Sequence, residues 1–124
     1  NRELGAQERI AAAKETTQNL NDRANTAESL ARSNRARLDK LDAQYRANEI
    51  TAAKYRSEAE SIRKDTEIIR DSAADAKKAR EKIVTSGSQV PQLLQEEPKM
   101  SAAQRRLESS ADQIEEKLSR IPTT

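Results

Sequence analysis

Eleven residues of the chain fall on one unbroken three-and-four spacing: Ile10, Ala13, Thr17, Leu20, Ala24, Ala27, Ala31, Asn34, Leu38, Leu41 and Tyr45. A strand would need apolar residues at every second position. Steps of three and four bring side chains to one face only in a helix. A repeat averaging 3.5 residues also keeps that face turned towards a partner helix, as in a coiled coil. At 1.5 Å per residue the segment makes a rod of roughly 55 Å. A rod of that length with one apolar seam needs another helix along it.

The same chain supplies one. The turn is predicted near residues 47–50, and Thr51 follows as an N-cap whose hydroxyl can accept from an orphan backbone N–H. Ile50 before the cap and Tyr55 after it have the spacing of a hydrophobic staple. A second seam then reads Tyr55, Ala59, Ile62, Thr66, Ile69, Ala73, Ala76, Arg80, Ile83, and Gly87 offers a left-handed helix end. A turn this short makes the two helices antiparallel. An alignment that pairs Tyr45 with Tyr55 also pairs Leu41 with Ala59, Leu38 with Ile62, Ala31 with Ile69 and Asn34 with Thr66. It sets Asp42 beside Arg56, Glu28 beside Arg70 and Arg37 beside Asp65; Leu20 against Arg80 and Arg35 against Arg63 are its poor matches.

The expected organisation is therefore an all-α chain. Residues 1–88 form a long antiparallel coiled-coil helical hairpin, 89–100 a Pro-containing linker, and 101–122 a third helix. Pro91 and Pro98 break the pattern in the linker, and Ser101 with Gln104 has capping-box spacing. The third helix carries the stripe Leu107, Ala111, Ile114, Leu118, Ile121. Leu30 and Ile68 are large apolar residues off the main seam, flanked by the small Thr16, Ser72 and Ala79. That flank is the expected seat of the third helix, leaving the tip near Tyr45 and Tyr55 as a bare two-helix rod. The Ala-rich layers from Ala24 to Ala31 bury little area by themselves and need such support.

Composition narrows the function. The chain has 124 residues with no His, Cys, Phe or Trp. Charged residues make up 35%, yet the net charge is only +2, and helix formers dominate over the two glycines and three prolines, which favours ordered helix over disorder. Without His or Cys the common zinc ligands are missing. The carboxylates fall outside the seams, where solvent keeps them ordinary acids rather than tuned catalysts. Gly5 and Gly87 are too far apart for a phosphate-cradling loop. The expectation is a non-enzymatic protein with no cofactor and no metal. No apolar run is long enough to cross a membrane.

The features left for recognition are few. Arg32, Arg35, Arg37 and Lys40 lie opposite Arg56, Arg63, Lys64 and Arg70. Acidic residues interleave with them and no aromatic is placed to stack on bases, which disfavours nucleic acid. Tyr45 and Tyr55 are expected to plug the hairpin tip, with a partner contact as the sharper alternative. The candidate interaction residues are thus Tyr45, Tyr55, Leu30, Ile68, Arg32, Arg35, Arg37 and Arg63. The expected role is a rigid spacer or adaptor that presents its tip or flank to protein partners, with self-association as a further option. A nucleic-acid-associated helical protein and a holdase-like chaperone are the alternatives. The start at Asn1, the Ala- and Arg-rich helices and the lack of Cys lean towards a bacterial cell-envelope setting, as a processed protein or an excised domain from which any export signal or anchor would have been removed upstream.

Overall fold

The structure, a computed structural model, describes the backbone of residues 2–123 and the side chains of residues 5–123. Three helices account for most of it: α1 (Arg2–Arg46), α2 (Ala52–Ser86) and α3 (Glu97–Leu118), with one 3-10 turn, Pro91–Gln95, between α2 and α3. No strand occurs among the described residues.

Local chemistry explains the boundaries. After α1 the chain turns through Asn48, at φ 60°, a left-handed conformation that asparagine tolerates better than most residues. Thr51 then caps α2, its hydroxyl oxygen accepting from the Lys54 N–H at 3.0 Å. Ile50, just before the cap, packs half-buried against the core. Gly87 ends α2 in a right-handed conformation, φ −63°, rather than the left-handed one expected. Its small size serves a close approach instead, because a methyl group there would run into the Leu94 side chain. The third helix starts at Glu97, four residues earlier than the capping-box spacing suggests. Pro98 sits in its first turn, where a missing N–H costs nothing. Ser101 lies inside the helix and accepts from Arg105 rather than capping.

The expected seams are the buried faces. From Ala13 to Leu41 every seam residue of α1 is buried, and so is every seam residue of α2 except the half-buried Arg80. Tyr45 and Tyr55 meet with ring centroids 5.8 Å apart. Polar seam residues are satisfied locally. Thr17, Thr66 and Ser110 each donate to the carbonyl four residues back. Asn34 donates to Asp65 at 3.1 Å rather than pairing with Thr66.

The third helix lies elsewhere than on the expected flank. Ile68 is 62% exposed. Instead α3 sits on the opposite side of the seam, beside Glu28, Arg35 and Asp39 of α1 and Arg56 and Arg70 of α2. It packs against each of α1 and α2 more extensively than these pack on each other. The seams therefore face a core shared by three helices. Met100, Ala103, Leu107, Ala111 and Ile114 are almost completely buried there, in one cluster with the Ala layers of α1 and α2. Nor is the tip bare. Arg56 donates to the Pro122 carbonyl at 3.1 Å, and Ile121 is buried, so the residues that follow α3 cover the start of α2 next to the hairpin turn.

Two substitutions separate the flanks. Leu107→Ala should lower the unfolding free energy by about 2–5 kcal/mol through the cavity it leaves. Ile68→Ala should change it by less than about 0.5 kcal/mol. Urea denaturation followed by circular dichroism measures both; equal losses would place α3 against the wrong flank.

Candidate functional site

The seat of α3 is electrostatic as well as apolar. Glu28 accepts from Arg106, Gln113 from Arg35, and Asp39 from Lys117, and each pair is separated by the same 78 positions. A constant offset over spacings of seven and four means that α1 and α3 run parallel, with matched faces in register. On the other side Arg70 binds Asp112 and Glu115. Glu28 and Arg70, expected to pair with each other, thus both turn to α3. Arg37 pairs with Glu58 rather than Asp65, and Asp42 with Arg46 and the Tyr55 hydroxyl rather than Arg56. Exposed pairs of this kind add only about 0.2–1 kcal/mol each, so they choose the flank more than they hold it.

The opposite flank is a trough between α1 and α2. Its base-end pocket, about 170 Å³, is lined by Arg9, Thr16, Ala79, Lys82, Ile83 and, as floor, Leu93 and Met100. A second pocket, about 240 Å³, lies further along, between Leu30 and Ile68 over Ala27, Ile69 and Leu107. Arg9, Thr16, Arg23 and Leu30 are spaced by sevens, so the two pockets share one face of α1. Leu93, Met100 and Leu107 carry the same spacing along the floor. Arg23 and Asp75, 2.8 Å apart, bridge the mouth between the pockets.

The candidate residues separate accordingly. Leu30 and Ile68 come together in the trough. Arg35 and Arg37 point to opposite flanks, one towards α3 and the other towards Glu58, so with Arg32 and Arg63 they make no single basic strip. Arg63 lines a broad groove, about 600 Å³, between α2 and the end of α3, where Glu67, Asp71 and Glu115 balance the charges of Arg63 and Arg70. Tyr55 is 1% exposed and Tyr45 half-buried, which makes their pair a plug for the tip. Arg9 and Lys82 were not singled out by sequence; their signal is the seven-residue spacing that Arg9 shares with Leu30 and Lys82 with Ile68, and the closeness of both to the base. Among the described residues no acidic, His or Cys cluster could hold a metal ion, and no helix is long and apolar enough to cross a membrane. No family model matches the chain, and no curated protein and no solved structure matches it.

Two groups carry pH dependence. The Arg106 guanidinium, bonded to Glu28, holds that carboxyl below its usual value near 4.5. A depressed carboxyl stabilises the fold above its unfolded value and loses that contribution as pH falls through the folded one. Stability should therefore drop below about pH 4.5, and Glu28→Gln should flatten that drop in denaturation midpoints measured between pH 3 and 6. Burial, followed by the charge of Asp42, raises the Tyr55 hydroxyl above its usual value of 10. Its contribution is complete below the unfolded value and is lost as pH rises through the folded one. Tyr55→Phe should accordingly remove part of the alkaline destabilisation, and ultraviolet titration should show one late-ionising tyrosine that this variant lacks.

Proposed function

We propose that the chain is a non-enzymatic coiled-coil spacer or adaptor, and that the α1/α2 trough is the flank it presents to a protein partner. The observation that carries this reading is the unequal treatment of the two flanks. One is filled by α3 and closed with charge pairs. The other leaves Leu30 and Ile68 over an apolar floor, with Ile68 62% exposed. Single exposed apolar residues are ordinary on a surface, whereas an apolar trough with a polar rim is the form a recognition surface takes. Long helices joined by one packed core give the stiffness a spacer needs. A phosphate-binding strip draws less support, because Arg35 and Arg37 diverge and both are engaged by neighbours.

The trough is also the apolar concavity a client-gripping chaperone requires. Its pockets of about 170 and 240 Å³ between packed helices favour one seated segment over a collapsed, unfolded client.

Photo-cross-linking in cells that make the protein tests the docking face. A benzophenone amino acid at Ile68 should yield a discrete protein adduct, whereas the same probe at Glu116, on the outer face of α3, should not. Identical patterns from both positions, or no adduct from either, would remove the trough as the docking face.

A further inference from the structure

We propose that the trough seats a fourth helix supplied by a different protein, one with a stripe of small and apolar residues and with acidic side chains where it passes Arg9 and Lys82. This rests on the reading of the chain as a protein-binding module and adds the class of partner.

Shape comes first. The lining of the two pockets runs from Arg9 to Leu30 along α1, which at 1.5 Å per residue is about 31 Å, the length of a helix of roughly 20 residues. Both walls offer small side chains at the contact line, Thr16, Thr26 and Ala27 on α1 and Ser72 and Ala79 on α2, so a helix backbone can come close. Leu93 and Met100 floor the base pocket and Leu107 the second one, with the exposed Arg23–Asp75 pair between them. Ile68 stands at one wall with most of its side chain in solvent, ready to be covered.

Charge then sets the chemistry of the occupant. Among the described residues the charged ones lining the base pocket are Arg9 and Lys82. Neither forms an ion pair among the described residues; Arg9 makes one long hydrogen bond, 3.5 Å, to Gln89. Further along, Arg23 is already neutralised by Asp75, and Asp22 stands on the rim. The demand for negative charge is thus confined to the base end. Burying a partner there leaves these cations costly unless carboxylates meet them.

The occupant proposed is a different protein, because among the described residues no helix is free to fill the trough. Its exposed large apolar residues are Ile68, Val84 and Leu94 among the described residues. Ile68 belongs to the trough itself, and Val84 and Leu94 lie near the base, so no helix carries a spare apolar stripe.

The test uses the full chain and two fluorescent 21-residue helical peptides with Leu and Ala on one stripe. One peptide carries Glu, the other Lys, beside the stripe at one end. In low salt the Glu peptide should bind at least about tenfold more tightly, the size expected when two facing charges change from repulsive to attractive. An R9E/K82E chain should reverse the preference, and Ile68→Lys should abolish binding of both peptides with an unchanged melting temperature. Absence of binding by either peptide, or binding indifferent to peptide charge and to Ile68→Lys, would overturn the proposal. Sedimentation showing a dimer that Ile68→Lys dissolves would overturn it too, with a second copy as the occupant. A specific cross-link from Ile68 in cells, alongside equal binding of the two peptides, would leave the docking face standing and defeat only the acidic helix.

Discussion

Everything in this structure depends on how the alanine-rich seam between α1 and α2 is filled. Ala24, Ala27, Ala31, Ala59, Ala73 and Ala76 are all buried, yet alanine brings little apolar area to a core. Two helices facing each other across such residues would gain little per layer and leave space between larger neighbours. Large side chains from α3 and the turn before it, Leu93, Met100, Leu107 and Ile114, are almost completely buried, as are Leu38, Tyr55 and Ile62 of the hairpin. Small and large residues from all three helices form one interdigitated core, the arrangement dense packing requires. The hairpin is therefore a frame for α3 more than a self-sufficient rod.

Electrostatics decides on which side of that frame α3 lies. Glu28, Arg35 and Asp39 on α1 meet Arg106, Gln113 and Lys117 at a constant offset, while Arg70 on α2 meets Asp112 and Glu115. Each pair is weak in solvent, but all of them favour the same seat and the same register. Weak, concordant contacts of this kind exclude alternatives without contributing much stability. The rejected flank keeps its apolar residues uncovered, which is why a packing choice inside one chain becomes a statement about what the outside of the molecule can bind.

The division between flanks also accounts for the fate of the arginines. Those near the seam are drawn into bonds with whichever neighbour the bundle brings close: Arg35, Arg70 and Arg106 between helices on the α3 side, Arg23 and Arg37 across the trough side. Arg9 and Lys82, at the base of the trough, line its pocket with no carboxylate among its described lining residues. Within the trough the unpaired positive charge is thus at the base end, although the sequence spreads basic residues along all three helices.

Periodicity determined most of the residues that lie inside. The three-and-four spacing named the buried face of α1 and α2, the Tyr45–Tyr55 contact and the core stripe of α3 from Leu107 on, because helix geometry converts sequence spacing directly into direction, while cap chemistry named Thr51 and the buried Met100 and Ala103 went unnamed. The start of α3 was less legible. Proline breaks a helix interior but is welcome in a first turn, and only the path of the chain shows which case Pro98 is. The choice of flank was decided by the tertiary structure. Leu30 and Ile68 looked like a seat because size and hydrophobicity are local properties of a residue. The seat actually used is marked by complementary charges 78 positions apart. Spacing says which way a side chain points on its own helix; which of two open sides a third helix takes is a difference between whole packings, to which every contact along both flanks contributes.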